Sequence, residues 1–200
     1  MVSAHFYDAE ARNYEWSRRP FLRGRGKLLS ELALKEGEKA LEIGCGTGWN
    51  LPFMADAVGV GGVVVGLELS RGMLAEAARG RFPPNVRLIQ GDASAGIPEG
   101  GPFDAVLFSY SFSAIPDRRK ALENVLASLS PAGRIGIVDF TLNRSAPAWL
   151  NRLFRAWGAR HSCDFAANPL PFLDAAGFDL SRKSQSFGFS YRLIARRKSG

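Results

Sequence analysis

Apolar residues along the chain fall into short continuous runs that alternate with stretches of helical period. Ala40, Leu41 and Ile43 make the first run, bounded by Gly37 and Gly44, and Val63–Glu68, Val86–Ala93 and Phe103–Ser109 follow, with a fifth run ending at Asp139. Runs of this length, apolar throughout rather than alternating, suit strands buried on both faces of a parallel sheet. Between them lie apolar positions at helical spacing: Trp49, Leu51, Phe53, Met54 and Ala57, then Met73, Leu74 and Ala77, then Ala121, Leu122, Val125, Leu126 and Leu129. Strand, helix and strand repeated from Lys39 to Phe140 predict a parallel sheet with right-handed crossovers. The chain then predicts a helix over Leu170–Ala176 stopped by Gly177, and two strands, Phe178–Phe187 and Phe189–Arg197, with Gly188 at the turn of an antiparallel hairpin. Upstream, Arg18–Leu34 has Phe21, Leu28, Leu29 and Leu32 on one face and Arg23 and Lys27 opposite, a helix that Gly24 and Gly26 weaken by up to ~1 kcal/mol each.

The stretch Ala40-Leu-Glu-Ile-Gly-Cys-Gly-Thr-Gly48 joins the first strand to its helix. Gly44, Gly46 and Gly48 allow positive φ and let a ligand approach where a Cβ would block it. The free N–H groups at the start of the next helix can meet a polar ligand group. A dinucleotide turn spaces its glycines G-x-G-x-x-G around a pyrophosphate. Here the pattern is E-x-G-x-G-x-G, and Glu42 would repel a pyrophosphate but suits a ligand carrying an ammonium group. Glu68 ends the second strand about twenty residues beyond the turn, the separation at which a carboxylate reaches both ribose hydroxyls. Ser70 can cap the helix through Met73. Asp92 ends the third strand, where it can accept a hydrogen bond from an exocyclic adenine amine while Ala93 offers a backbone N–H; a turn-forming role for Asp92 is the alternative. Ser109 to Phe112 lies past the fourth strand, at the sheet edge where open α/β proteins place ligands.

These motifs resemble those of the class I S-adenosylmethionine-dependent methyltransferases: the glycine turn their first motif, Gly66-Leu-Glu-Leu-Ser-Arg-Gly-Met-Leu74 their second, and Leu129-Ser-Pro-Ala-Gly133 their L-x-P-G-G signature, with Ala132 replacing the usual first glycine. The resemblance implies a Rossmann-like α/β fold, a seven-stranded, mostly parallel sheet with helices on both faces. It implies S-adenosyl-L-methionine as cofactor, S-adenosyl-L-homocysteine as product and no metal. Its cofactor site would comprise Tyr14, Glu42, Gly44, Gly46, Gly48, Glu68, Leu69, Met73, Asp92, Ala93 and Ser109. The absence of an Asn-Pro-Pro-Tyr signature after the fourth strand argues against a base or glutamine methylase. The opening His5-Phe-Tyr-Asp-Ala-Glu-Ala-Arg-Asn-Tyr14 resembles the Y-D-x-x-A-x-x-Y segment of quinone and phospholipid methyltransferases. By that resemblance Tyr7 and Tyr14 bond the methionine end or the substrate; the alternative is that they only pack.

Charge and composition narrow the partners. The chain carries 26 basic and 19 acidic residues, a net charge of +7 and an isoelectric point near 9.8, so an anionic surface is a plausible partner. Two cysteines are too few for a disulfide framework or a zinc site. They indicate a reduced, cytoplasmic setting, and Cys45 inside the glycine turn is expected to be a small apolar filler. No signal-peptide core or run of ~20 apolar residues appears, so any membrane contact is expected to be peripheral, on the inner face. Trp149, Leu150, Leu153, Phe154 and Trp157 fall on one half of a predicted helix, with Arg152 and Arg155 on the other. Such a helix either meets a lipid interface or caps the active site from within.

A single domain is expected, with residues 1–36 a lid segment, 37–140 the cofactor-binding core, 141–171 a substrate- or lipid-facing insert and 172–200 the closing hairpin. Aligning a nucleophile with an activated methyl group supplies ~7–11 kcal/mol without an obligatory base. Tyr14, Asp139 and His161 are candidates to relay a proton. Taken whole, the chain looks most like bacterial phosphatidylethanolamine N-methyltransferases and their betaine-lipid relatives, which implies methylation of a phospholipid amine at the membrane surface. A quinone ring or another small acceptor is the alternative. Nucleic-acid binding is disfavoured, because a pure binder has no use for carboxylates at successive strand ends.

Overall fold

The computed structural model describes residues 4–14, 16, 22–98, 101–185 and 188–198. Seven strands form one sheet in the order β3-β2-β1-β4-β5-β7-β6: β1 Lys39–Ile43, β2 Val63–Glu68, β3 Val86–Gln90, β4 Phe103–Ser109, β5 Leu129–Phe140, β6 Phe178–Gln185 and β7 Ser190–Arg197. The first five pair in parallel, and β7 runs antiparallel to both β5 and β6. Strand order therefore reverses direction between β1 and β4, which opens a crevice outside their carboxyl ends. The expected Rossmann-like fold, with its closing hairpin, is the fold observed.

Seven α-helices among the described residues accompany the sheet: α1 Ala4–Glu10, α2 Arg25–Leu32, α3 Leu51–Val58, α4 Arg71–Ala77, α5 Arg118–Ser128, α6 Ala148–Arg160 and α7 Leu170–Ala175. The pleat divides the buried residues into two clusters. Leu41, Ile43, Val106 and Phe108 pack with Leu122, Val125 and Leu173 on one face. Ala40, Val64, Ala105 and Leu107 pack with Leu28, Leu32, Leu51 and Met54 on the other. At the amino ends of the strands, Arg134 clamps the layers together. Its guanidinium donates to both oxygens of Glu38, at 2.9 and 2.7 Å, and to the carbonyls of Leu32 and Ala33 at the end of α2. That bidentate pair holds the Glu38 carboxyl below its ordinary range, even though burial alone raises it. No helix among the described residues is long and apolar enough to cross a membrane.

Several boundaries differ from expectation for identifiable reasons. Within the predicted 18–34 helix, α2 begins only at Arg25, because Gly24 takes φ +87° at the position before it; Phe21 lies outside the described residues. Gly24 thus starts the helix rather than weakening it. Helix α5 stops at Ser128, so Leu129, expected at helical spacing, lies with Pro131 and Gly133 inside the long strand β5. Strand β3 ends at Gln90, short of Asp92. Trp49 precedes α3, and Phe53 is 55% exposed on it, its ring 5.0 Å from that of Trp49. The apolar half of α6 is split. Leu150, Phe154 and Trp157 turn inward, whereas Trp149 and Leu153 are 63% and 61% exposed.

Candidate active site

A cleft of about 920 Å³, counted with its open mouth, lies over the β1–β4 switch point. One wall is the row of strand ends. Glu42, one residue before the end of β1, is 1% exposed, and its Oε1 accepts a hydrogen bond from Asn50 Nδ2 at 2.5 Å. Asn50 is 3% exposed and lines the cleft, and its Oδ1 has no hydrogen-bond partner among the described residues. Buried acceptors seldom stay unpaired, so this oxygen marks where a donor from a ligand belongs. Glu68 closes β2. Its Oε2 accepts from Gly46 N and its Oε1 from Ser70 N, both at 2.9 Å, so one carboxylate fixes the glycine turn and the start of α4. Burial raises the Glu68 carboxyl above its ordinary value, and these main-chain donors oppose that rise. Ser70 caps α4 as expected, its Oγ accepting from Met73 N at 3.1 Å. Asp92 lines the cleft, and its Oδ1 accepts from the amide and hydroxyl of Ser94, the turn-forming arrangement given as its alternative.

The three turn glycines are not equivalent. Gly44 has φ +67°, and a Cβ there would lie 2.6 Å from Ser111 Cβ, so it admits the β4 exit, where Ser111 Oγ donates to the Ile43 carbonyl. Gly46 has φ +57°, and a Cβ there would meet nothing within 4 Å; it faces open cleft. Gly48 departs from expectation. It lies outside the lining, with φ +81° and a Cβ position 2.7 Å from Phe82 Cζ, so its role is to seat that ring behind the turn. Cys45 is the expected filler: it is 6% exposed, burial raises its thiol, and a Cβ on Gly66 would sit 2.9 Å from its sulfur.

The facing wall comes from α1, the segment after it and the β4 exit. Tyr7, Tyr14, Ser109, Tyr110, Ala114, Ile115 and Pro116 line it. Tyr110 belongs to the Ser109–Phe112 stretch expected at the ligand edge, but its backbone conformation is not signalled by the sequence. It holds φ +58°, uncommon for a bulky side chain, and is fixed there by its amide on the Val138 carbonyl at 2.7 Å and its hydroxyl on the Arg23 carbonyl at 2.5 Å. Arg25 also lines the cleft, with its guanidinium 5.0 Å from the Trp49 ring centroid. Asp139 lies behind the wall, fully buried, accepting from Ser113 N, Ser113 Oγ and Phe140 N. Burial pushes its carboxyl from 3.8 up to about 6. Its bonds hold the 112–114 turn in place, so it is a positioning group rather than one lining the cleft. His161 also lies outside the lining; its Nδ1 sits 2.6 Å from the Trp157 carbonyl at the end of α6. Of the residues expected at the cofactor, Tyr14, Glu42, Gly44, Gly46, Glu68, Leu69, Met73, Asp92, Ala93 and Ser109 all line the one cleft.

Comparison with known proteins places this architecture. Residues 40–133 match the family model described as a methyltransferase domain. The chain is 41% identical over 96 residues to a protein-L-isoaspartate O-methyltransferase of Methylorubrum populi, covering 46% of this chain and 43% of that one. It is 30% identical over 151 residues to a demethylmenaquinone methyltransferase of Beutenbergia cavernae, covering 73% and 59% respectively. The chain thus spans about half the length of the curated relatives it matches. Among solved structures, the DhpI–SAH complex superposes with a TM-score of 0.69 at 21% identity, covering 98% of this chain and 95% of that one. Residues 40–133 are thus similar to a methyltransferase domain, and the sheet built around them has the Rossmann-like methyltransferase fold.

Proposed function

We propose that the cleft binds S-adenosyl-L-methionine and that the protein transfers its methyl group to a small, neutral, ring-containing acceptor of the quinol type. The observation that carries the cofactor reading is the pairing of Gly46, open to the cleft, with carboxylates within two residues of the ends of three successive strands, Glu42, Glu68 and Asp92. These residues suit the group chemically. Glu42 and the unpartnered Asn50 Oδ1 would receive an ammonium, and Arg25 offers a counter-charge for a carboxylate. Glu68 would take the ribose hydroxyls and Asp92 the adenine edge. The bound cofactor supplies an activated methyl on a sulfonium. The chain's part is to orient, to keep water out and to neutralise the positive donor.

The acceptor reading rests on the facing wall. Its cleft-lining residues from α1 and the β4 exit are tyrosines, serines and apolar groups, with no charged side chain among them. Such a surface suits a neutral planar molecule better than a carboxylate or an ammonium headgroup. Burial holds the Tyr7 phenol well above its ordinary value, so it stays protonated and acts as a hydrogen-bond donor rather than a base. Two of the relatives named as demethylmenaquinone methyltransferases are 34% and 30% identical to this chain. A second reading, methylation of a phospholipid amine at a membrane surface, is favoured by the outward face of α6. Trp149 and Leu153 are exposed there beside Arg152 and Arg155.

Incubation with methyl-labelled S-adenosylmethionine and, in parallel, a demethylated quinol and aminophospholipid vesicles tests both. Label in the quinol fraction is expected. Label confined to phospholipid would replace this acceptor with the second reading, and label in neither would reject both.

A further inference from the structure

Ala114, Ile115 and Pro116 face the cleft beyond the exit of β4, and their side chains are apolar. What they offer an acceptor is therefore a surface held in a fixed place. Three ties fix it. Asp139 holds the start of the stretch by accepting from Ser113 N and Ser113 Oγ at 2.7 and 2.8 Å. The Ser113 carbonyl accepts from Asp164 N at 2.9 Å. Arg118, the first residue of α5, reaches both ways: Nη1 donates to the Ile115 carbonyl at 3.2 Å, and Nη2 donates to Asp164 Oδ2 at 2.7 Å.

Asp164 lies just beyond α6, and its own position is set by that helix. Its Oδ1 accepts from Ala166 N at 2.9 Å, and the neighbouring Phe165, buried, stacks on Phe154 of α6 with ring centroids 4.4 Å apart. Gly158 admits the stack, since a Cβ there would lie 2.6 Å from Phe165 Cε2. An exposed ion pair alone contributes little, and the Arg118 and Asp164 side chains are 28% and 48% exposed. Arg118 matters for a different reason. Its planar fork bonds a carboxylate of the insert and a main-chain carbonyl of the cleft wall at the same time.

We propose that Arg118 is a positioning residue for the methyl acceptor: by bridging Asp164 and the Ile115 carbonyl, it carries the placement of α6 and the segment after it onto the Ala114–Pro116 surface. The inference rests on the acceptor reading above. Glu42 and Glu68, on the opposite wall, are held by other bonds. Losing the bridge therefore loosens the seat of the acceptor and leaves the donor site intact. A misplaced acceptor reacts more slowly even when the donor is correctly bound.

The test is steady-state methylation of a demethylated quinol by the full chain, with quinol and S-adenosylmethionine varied separately and S-adenosylhomocysteine affinity measured by calorimetry for every variant. Arg118→Met is expected to lower kcat/KM for the quinol by about tenfold, with less than about a twofold change in KM for S-adenosylmethionine or in Kd for S-adenosylhomocysteine. Asp164→Ser, whose short hydroxyl still accepts from Ala166 N but does not reach Arg118, is expected to show a comparable loss. Arg118→Lys, which replaces the fork by a single point of contact, is expected to fall between Arg118→Met and the wild type. The double variant Arg118→Met/Asp164→Ser is expected to lose no more than either single one, because both break the same bridge. Losses that multiply in the double variant would overturn the bridge, as would unchanged quinol kinetics in both single variants or an equal loss of S-adenosylhomocysteine affinity. Wild-type protein that binds S-adenosylhomocysteine but does not methylate the quinol would overturn the acceptor reading and the bridge with it.

Discussion

The two walls of the cleft are built differently. On the side proposed for the donor, Glu42 and Glu68 sit in the last two residues of strands whose register is locked by parallel neighbours, as with Ile43 paired to both Leu67 and Phe108. Glu68 is cross-braced by main-chain donors and Glu42 by the Asn50 side chain, and the turn carries glycines at fixed positions. The acceptor side is assembled from pieces distant in sequence: α1, the β4 exit, and an aromatic cluster in which Phe140 meets Tyr110, Phe154, Trp157 and Phe165 at 4.6 to 5.9 Å between ring centroids. On the proposed function, the first wall would read a fixed donor, and the second, made of packed side chains, is where differences in acceptor would be accommodated.

If that contrast is right, disturbing the donor wall should cost the most. Gly46→Val should weaken S-adenosylhomocysteine binding by at least about a hundredfold in calorimetry, because the new side chain enters the space left open there. The fold should survive, since left-handed backbone in a branched residue costs only ~1–3 kcal/mol. Gly44→Ala, whose Cβ would collide with Ser111, should by contrast lower the unfolding midpoint as well. Glu68→Ala should follow, with a loss of about tenfold to a hundredfold from removing a charged acceptor that also fixes the turn. Unaltered affinity in both Gly46→Val and Glu68→Ala would remove the proposed donor wall.

Behind the acceptor wall, Asp139 offers a test in pH. Because burial holds its carboxyl at about 6 instead of 3.8, the folded state binds this proton more tightly than the unfolded one. Its contribution to stability is therefore full below about pH 4 and is lost as pH rises through 6. Urea unfolding at pH 4.5 and 7.5 should show about 2 kcal/mol of this loss in the wild type and none of it in Asp139→Asn. Glu31 has the opposite sign. Arg192, chiefly, holds its carboxyl at about 2, so its stabilisation is present above 4.5 and is lost only as pH falls through 2, outside that window. The smallest effect is expected at the surface. Replacing Trp149 and Leu153 by Ala should leave ligand binding intact and reduce sedimentation with anionic vesicles severalfold; unchanged sedimentation would remove the outward face of α6 as a lipid contact.

What was legible in the sequence follows the same division. Strand runs, the E-x-G-x-G-x-G turn and carboxylates at strand ends are local patterns, so the core and the donor wall could be read residue by residue. Gly48 was the exception, because its neighbour Phe82 is distant in sequence and no spacing announces that packing. The acceptor wall depends on long-range contacts. Nothing local separates Phe154, turned inward, from Leu153 beside it, turned out, and the left-handed Tyr110 carries no signature such as a glycine. His161, a candidate proton relay, lies outside the cleft lining, its Nδ1 2.6 Å from the Trp157 carbonyl one turn earlier on α6.

The central claim is that the row of strand ends is a site for an adenosyl sulfonium donor. Calorimetric titration of the wild-type chain with S-adenosylhomocysteine, alongside Gly46→Val, tests it most directly. The account predicts saturable one-to-one binding by the wild type that the variant loses while remaining folded. No binding by the wild type, or equal binding by both proteins, would contradict it.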